Sequence, residues 1–377
     1  MRIIAIFFFT RETNTKNVYV GNTSENSFST TSHLFVAMTT PDIDDVQATG
    51  GNTTMLSSSR GVDFYIECAI VVIGIVGAAA NALVLYAMIV SKQHTKQLLI
   101  YHQNVFDLCS CLLLVLTYTL KLCNIYLSGT LGYWLCMILL SEGLLWCSIL
   151  GATINLMSVT VERYLKVVRP VWSKRLLRKP VKCAAVAFAW ITSIVYHMTL
   201  VFSTSAVKDG ICYGYGIWKS RLAAIIHGIW NFVSFTVIVL LVFILCYWRI
   251  LVVIRRQARV MASHSGPGSN AGQSHSNHVQ SNVVKTMITV CALYVISCVP
   301  QNVYFLITHF NSNFKFFESG YHALVFISFF YICANPFIYA VKFDPVRRVV
   351  VGLIPCMKAQ QASENVEMAG AGNVARN

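Results

Sequence analysis

Long apolar stretches with few charged residues dominate the pattern of hydrophobic and polar positions along this chain. Each stretch contains at least the ~20 residues that an α-helix needs to cross the hydrocarbon layer of a membrane. They occupy residues 64–90, 97–122, 133–161, 181–202, 222–254, 284–309 and 321–341. Because no polar domain separates them, the buried core helices of a soluble protein do not explain the pattern. The sequence therefore predicts an all-α membrane protein built as a seven-transmembrane helix bundle.

The two ends of the chain differ from this apolar part in composition. Residues 1–62 are rich in Ser, Thr and Asn, so we predict a disordered extracellular segment before a seven-helix domain at residues 63–342. Asn22 and Asn52 each begin an Asn-X-Ser/Thr triplet, which marks an N-glycosylation acceptor in the secretory lumen. Residues 343–377 form a predicted cytoplasmic tail. Its start, PVRRVVVGLIPC, predicts a short amphipathic eighth helix on the inner leaflet, with Cys356 as a palmitoylation site.

The charged residues change this picture mainly through where they lie. The chain has 29 Lys and Arg against 15 Asp and Glu, a formal net charge of +14. With the N-terminus outside, the inner loops contain Lys92, Lys96, Lys166, Arg169, Lys174, Arg175, Arg178, Lys179, Lys182, Arg255, Arg256 and Arg259. The outer side offers only Lys121, Lys208, Lys219 and Lys315. By the positive-inside rule this asymmetry predicts an extracellular N-terminus, and it argues against a nucleic-acid-binding surface.

The 13 cysteines do not indicate a disulfide scaffold, because most of them lie inside the apolar runs. Cys136 lies at the outer start of the third run, and Cys212 lies in the loop between the fourth and fifth runs. Both face the oxidising side of the membrane, so a disulfide between them is expected. Cys68 and Cys123, near outer helix ends, are further candidates for a disulfide.

Two carboxylates lie within the apolar runs, where ionisable groups are costly and usually functional. Asp107 in the second run is either a structural hydrogen-bond node facing Asn81 and Asn335, or a cation or proton site coupled to conformation. Glu142 lies in the outer part of the third run. It either binds a basic group of a ligand or pairs with Lys121. The sequence leaves both pairs of alternatives open.

The inner end of the third run carries the stretch VERYLKVVRP, in which charged residues follow a long apolar segment. One interpretation is that Glu162 pairs with Arg163 in a closed bundle, and that Arg163 meets a cytosolic partner when the sixth helix swings outward. The alternative is that Arg163 simply extends its charged end to the membrane interface. Pro300 and Pro336 interrupt the sixth and seventh helices and predict kinks that can act as pivots.

Several of these features occur together in a known order. The chain resembles the rhodopsin-like family of G-protein-coupled receptors from about residue 62 to residue 356. The resemblance rests on the seven runs, on ERY at 162–164 followed by Pro170, and on NPFIY at 335–339. Further landmarks in the same order are Asn81, Asp107, Trp134, Cys136, Trp190, Tyr247, Ile250 and Pro300.

The resemblance implies roles for particular residues. Arg163 holds the closed state and then contacts the G protein, Tyr339 swings inward on activation, and Asp107 is a candidate sodium site. The residues implied in G-protein coupling and switching are Glu162, Arg163, Tyr164, Tyr247, Asn335, Pro336 and Tyr339. Those implied in the conformational core are Asn81, Asp107, Tyr294, Cys298 and Pro300.

The chain also departs from the family pattern at several positions. Cys298 replaces a Trp that is common in the sixth helix, and Cys136 stands two residues further from Arg163 than usual. Leu145 replaces the Asp that binds amines, and Phe329 replaces the Lys that binds retinal, which argues against an amine receptor and excludes a light sensor. Positions that usually complete the sodium site hold Ala152, Tyr331 and Ile332.

We interpret the chain as a plasma-membrane receptor that passes an extracellular ligand signal to a heterotrimeric G protein, with arrestin as a further partner. The alternatives are an atypical receptor that signals without a G protein and, less favoured, a membrane transporter. No catalytic constellation or cofactor motif is found, so an enzyme is not predicted. A mixed polar and aromatic pocket favours a peptide over a lipid. Its expected lining is Lys121, Glu142, Trp146, His197, His227, Asn231, Gln301, Asn302 and Tyr321.

Overall fold

The computed structural model describes residues 53–215, 217–263, 271–310 and 318–353. Asn22, Asn52 and Cys356 lie outside these residues, so the glycosylation and palmitoylation sites stay predictions. The α-helices α1 to α12 are Thr53–Val90, Gln93–Lys96, Leu98–Leu122, Gly129–Leu135, Gly143–Val168, Pro170–Leu176, Lys179–Thr204, Arg221–Phe232, Ile238–Ser263, Ala271–Phe310, Glu318–Lys342 and Asp344–Leu353. Two π-helical turns, Cys136–Leu140 and Val233–Val237, follow α4 and α8.

Seven segments of these helices are long and apolar enough to cross a membrane. We number them span 1 to span 7: Phe64–Val90, Leu98–Leu122, Gly129–Val168, Lys179–Thr204, Arg221–Gln257, Val284–Phe310 and Ala323–Lys342. The predicted seven-helix membrane fold is therefore confirmed. α1 begins at Thr53, ahead of the boundary predicted at residue 62, and span 3 continues beyond the apolar run to Val168.

Apolar side chains cover the outside of the bundle and polar side chains lie in its centre, as expected for helices surrounded by lipid. Large apolar side chains such as Ile191 and Trp248 point outward, with 63% and 62% of their surface exposed. Asn81, Asp107 and Asn335 lie in the centre of the bundle and are fully buried. Lipid tails solvate the outward apolar groups, whereas polar groups in the bundle need partners from neighbouring helices.

A short β-hairpin follows span 4 on the side of the bundle where spans 2 and 3 are joined. Its strands, β1 (Ala206–Lys208) and β2 (Ile211–Tyr213), are antiparallel, and Val207 is opposite Cys212. Asp209 and Gly210 form the turn with φ angles of 52° and 78°, the left-handed conformation that two-residue hairpin turns need. The Leu127 N–H donates to the Gly210 carbonyl at 2.9 Å, which ties the hairpin to the loop before span 3.

The last helix, α12, is amphipathic as predicted. Phe343 separates it from span 7, and its Val346 and Val351 are buried against the bundle. Arg347 and Arg348 are exposed. This distribution places the apolar side of α12 against the end of the bundle and leaves its basic side free to face an anionic leaflet.

Candidate ligand pocket and inner switch

Span 3 is broken near its outer end, and the break explains the unusual spacing of Cys136. On a regular α-helix, two additional residues would turn Cys136 by about 200° about the helix axis. The π-helical turn Cys136–Leu140 takes up more residues than an α-helical turn, and Glu142 then adopts a left-handed φ of 61°. Cys136 consequently still faces β2, where it forms a disulfide with Cys212. The predicted disulfide is confirmed.

The same break directs the Glu142 side chain into the bundle. Its Oε1 accepts hydrogen bonds from the Tyr118 hydroxyl at 3.0 Å and from Lys121 Nζ at 2.5 Å, and its Oε2 accepts one from Trp146 Nε1 at 3.0 Å. Lys121 Nζ also lies 4.7 Å from the centre of the Tyr118 ring. Of the two sequence alternatives for Glu142, the structure shows the ion pair with Lys121.

A cavity of about 180 Å³ opens beside this ion pair. Tyr294 and Cys298, which we assigned to the conformational core, also line it. The predicted pocket residues that line it are Lys121, Glu142, Trp146, His197, His227, Asn231, Gln301 and Asn302. The side chain of Tyr321 lies outside the described residues. Lining residues that sequence reasoning missed include Thr153, Tyr215, Phe235, Tyr304, Phe305, Ser328 and Phe329.

The loop after the hairpin lies over the cavity and places Tyr215 in its wall. The Tyr215 backbone adopts a left-handed φ of 56°, and its N–H donates to Ser205 Oγ at 3.0 Å. Trp218 Nε1 donates to the Tyr215 carbonyl at 3.1 Å. Burial raises the pKa of Tyr215 well above its ordinary value, so the phenol stays protonated and can donate a hydrogen bond. The nearby disulfide at Cys212 was the sequence signal that could have located this residue.

A cluster of aromatic and imidazole rings packs around His227, which lines the cavity. The Tyr196 hydroxyl and His227 Nε2 are 3.0 Å apart, and the His227 ring centre lies 5.1 Å from that of Trp218. On span 6, the His309 ring centre lies 5.9 Å from that of His227. The cavity is therefore lined by an ion pair together with aromatic, imidazole and amide groups.

The centre of the bundle contains a hydrogen-bond node around Asp107. Asn335 Nδ2 donates to Oδ2 of Asp107 at 3.1 Å, and Gln103 Nε2 donates to Oδ1 at 3.3 Å. The Asn81 amide, which one sequence alternative placed facing Asp107, donates to the Gly77 carbonyl at 3.0 Å. Sequence reasoning missed Gln103, although it lies four residues before Asp107 and therefore on the same face of the helix.

The other residues of the implied conformational core lie in spans 6 and 7. The Tyr294 hydroxyl donates to the Phe235 carbonyl on span 5 at 2.8 Å, and both residues line the cavity. Pro300 lies within α10 with its ring exposed, and Pro336 lies buried within α11. Each proline removes a backbone hydrogen bond from its helix, which makes a local bend inexpensive.

At the inner end of span 3, Glu162 and Arg163 are both buried. Arg163 Nη2 is 3.4 Å from Oε2 of Glu162 and donates to Oε1 of Gln97, which precedes span 2. The other carboxylate oxygen, Oε1, is 2.8 Å from Lys166 Nζ and 2.7 Å from Lys182 Nζ. The predicted Glu162–Arg163 pair exists, but the carboxylate is shared among three cations.

The tyrosines of the implied switch surround this charged group. The Tyr247 hydroxyl is 3.2 Å from Thr160 Oγ1, directly above Arg163 along span 3. Tyr339 is buried, and its hydroxyl has no hydrogen-bond partner among the residues that the structure describes. Tyr164 packs against the apolar core. A buried hydroxyl without a hydrogen-bond partner costs free energy, so movement of the Tyr339 side chain to a new acceptor would be favourable.

The chain is similar to several known proteins. A family model described as 7 transmembrane receptor (rhodopsin family) matches residues 80–339. The chain is 24% identical over 206 residues to trace amine-associated receptor 7f of Mus musculus, which covers 52% of this chain and 56% of that protein. It is 28% identical over 206 residues to somatostatin receptor type 5 of Rattus norvegicus, which covers 51% of each chain.

Adenosine receptor A2a of Canis lupus familiaris is 22% identical over 212 residues, covering 52% of this chain and 50% of that protein. The chain thus spans about half the length of the curated relatives it matches. Among solved structures, squid rhodopsin is similar with a TM-score of 0.64 and 16% identity, covering 78% of this chain and 86% of that chain. At that identity the likeness shows a shared fold.

Proposed function

We propose, from the premise that this chain belongs to the rhodopsin family of seven-transmembrane receptors, that it carries an extracellular signal to a heterotrimeric G protein. One observation carries the proposal: span 3 connects the cavity with a buried arginine at the inner end of the bundle. Glu142 lines the cavity, and Arg163 lies about 32 Å further along the same helix, close to the thickness of a hydrocarbon core.

The orientation in the plasma membrane is part of the proposal. The disulfide and the hairpin lie at one end of the bundle, where an oxidising compartment is needed to form the bond. The short helix α6 and the start of span 4, at the other end, expose Arg169, Lys174, Arg175 and Lys179. We therefore place the N-terminus outside. An antibody to an N-terminal tag should bind intact cells, and an antibody to a C-terminal tag should bind only permeabilised cells; the reverse would refute this orientation.

The cavity supports a peptide as the ligand. Side-chain amides of Asn231, Gln301 and Asn302 line it, and such groups match the N–H and C=O groups of a peptide backbone. A lipid tail would offer these amides no hydrogen-bond partner, at a cost of roughly 1–3 kcal/mol for each amide that loses its contact with water. The relatives bind different ligand classes by their names, so they do not decide the matter.

Ligand binding acts by shifting the population of two bundle arrangements. A ligand that binds the open arrangement more tightly by about 1.4 kcal/mol raises the open population tenfold. In the open arrangement Arg163 leaves Glu162 for the G protein, and Tyr339 moves inward. Arrestin would bind at the same inner end of the helix bundle. A receptor that signals without a G protein is the second candidate, favoured by Cys298 at the cavity wall in place of the usual Trp.

The test of G-protein coupling is Arg163→Ala, with Arg169→Ala as a matched control because Arg169 is exposed at the end of the same span. Nucleotide exchange on each Gα class is measured in membranes and normalised to surface receptor. We expect Arg163→Ala to lose at least about 90% of the exchange, because it removes the charged group that meets the partner. Exchange equal to the parent's would refute coupling through Arg163. Absence of exchange in the parent, together with arrestin recruitment, would favour the second candidate.

A further inference from the structure

The guanidinium of Arg163 is held by a residue outside its own helix. Nη2 donates to Oε1 of Gln97, whereas the distance from Nη2 to Oε2 of Glu162 is 3.4 Å, near the limit for a hydrogen bond. Gln97 precedes span 2 and Arg163 lies on span 3, so this hydrogen bond joins two helices at the inner face. The hold on Arg163 therefore depends on the relative position of spans 2 and 3.

Glu162 is not free to restrain Arg163 alone. Its Oε1 is contacted by Lys166 one turn later and by Lys182 at the start of span 4, at 2.8 Å and 2.7 Å. The Glu162 side chain is fully buried, so both lysines compensate a carboxylate that water does not reach. Glu162 consequently ties span 3 to span 4 at shorter distances than the one that separates it from Arg163.

Gln97 occupies a backbone position that directs its side chain toward Arg163. It lies between α2 and α3 with φ −119° and ψ 52°, at the N-cap position of α3. Residues at this position usually turn their side chains onto the first N–H groups of the helix, but Gln97 makes no such bond. Its backbone is fixed by a bond from its N–H to the Gln93 carbonyl at 2.7 Å and by one from the Tyr101 N–H at 3.0 Å.

The hydrogen bonds to Arg163 do not use all of its donors, so its restraint is reversible. The guanidinium has five N–H donors, and its Nε is buried without a hydrogen-bond partner among the described residues. A buried cation with unused donors gains from any partner that presents more acceptors. The Gln97 amide oxygen can therefore restrain Arg163 in the resting state, and a cytosolic protein that offers more acceptors can replace it.

We propose that Gln97 is a positioning residue that restrains Arg163 in the resting receptor. The oxygen of its amide must release Arg163 before the guanidinium meets the cytosolic partner. This inference rests on the proposed function, in which Arg163 contacts the G protein. It assigns the main restraint to the residue that precedes span 2, whereas Glu162 serves mainly to join spans 3 and 4.

The first test compares variants of Gln97 in the full-length receptor. Gln97→Leu keeps the approximate size but removes the acceptor, and it should raise ligand-independent nucleotide exchange about five-fold relative to the parent at equal surface level. Gln97→Glu keeps an acceptor and adds a charge, so exchange should fall to or below the parent level. Gln93→Leu is the matched control, because Gln93 begins α2 four residues before Gln97 and its side chain donates to the Ser91 carbonyl at 3.5 Å.

The second test reads the bundle directly, without a G protein. An environment-sensitive fluorophore is attached through a genetically encoded amino acid at position 285, where the native lysine is exposed at the inner end of span 6. Gln97→Leu should shift its emission, and Gln93→Leu should not. An emission shift without nucleotide exchange would support the restraint and refute G-protein coupling.

No emission shift in Gln97→Leu beyond that of Gln93→Leu would overturn the restraint. If Gln97→Leu does not reach the cell surface, the Gln97→Glu variant decides. If the emission of Gln97→Glu shows no shift toward the open arrangement relative to the parent, the role of the acceptor is supported. A shift toward the open arrangement overturns that role.

Discussion

Asn335 on span 7 donates its Nδ2–H to Oδ2 of Asp107 on span 2 at 3.1 Å, in the centre of the bundle. Gln103 donates to the second oxygen of Asp107 at 3.3 Å, so each oxygen of this buried carboxylate has an N–H partner. The node joins spans 2 and 7. The positions from which the family usually completes a sodium site include Ala152 and Ile332, whose side chains have no oxygen.

This node leads to a prediction about sodium. Because N–H donors occupy both oxygens of the Asp107 carboxylate and two of the usual ligand positions hold Ala152 and Ile332, replacing sodium by choline should change ligand-independent nucleotide exchange by less than about two-fold. Asp107→Asn should show the same weak response to sodium as the parent. A strong sodium effect that Asp107→Asn abolishes would establish a sodium site and contradict the prediction.

Close packing at Gly77 gives a second prediction. A Cβ at this position would lie 2.7 Å from the Cys333 sulfur and 2.8 Å from the Cys111 sulfur. Gly77→Ala should therefore lower the stability of the purified receptor by roughly 1–3 kcal/mol, read as a drop in melting temperature. Gly352→Ala is the control, because nothing lies within 4 Å of that Cβ. Adding Cys333→Ala should recover part of the loss; a purely additive double variant would show that the sulfur is not the obstacle.

A third prediction concerns the bond between Cys136 and Cys212, which holds the loop with Tyr215 over the cavity. Cys136→Ser and Cys212→Ser should each reduce surface expression severalfold, because the loop loses its attachment to span 3. The double variant should do little further harm, since the two sulfurs act as one unit. Cys123→Ser, at an exposed free cysteine near the same end, should leave expression unchanged. Independent losses from the two single variants would argue against a functional disulfide.

Much of this architecture follows from hydropathy, because a membrane imposes length and polarity on every span. The pocket side chains Glu142 and Gln301 were also predictable, since polar residues in the outer part of an apolar helix turn toward the bundle. The end of span 3 was harder to place. The helix continues past Val161 because Glu162 and Arg163 find partners inside the bundle. Hydropathy along the sequence gives no information about such partners.

Other features depend on contacts between residues far apart in sequence. The break at Ser141 and Glu142 leaves hydropathy unchanged, so only the displaced Cys136 hinted at it. The bonds from Arg163 to Gln97 and from Lys182 to Glu162 join different helices. Their pairing depends on how the helices are rotated and displaced along their axes, and periodicity within one helix does not define either quantity.

The final prediction concerns the ion pair between Lys121 and Glu142, whose side chains are 10% and 16% exposed. Lys121→Met leaves the carboxylate to Tyr118 and Trp146, and Glu142→Gln leaves the ammonium beside the Tyr118 ring. Each single variant should lower stability by about 2 kcal/mol, less than a fully buried pair, because water reaches part of this site. The double variant should recover most of that loss.

The same variants separate a structural role from a ligand role. If the ion pair only stabilises the bundle, the double variant should respond to an active peptide as the parent does. If a ligand exchanges with one partner, both single variants and the double variant should need at least about ten-fold more peptide for a half-maximal response, despite the recovered stability. Lys208→Met, at an exposed position on the hairpin, is the charge-matched control. We expect the second pattern, because the pair lines the cavity and a peptide entering it would contact both charged groups; a parent-like double variant would contradict it.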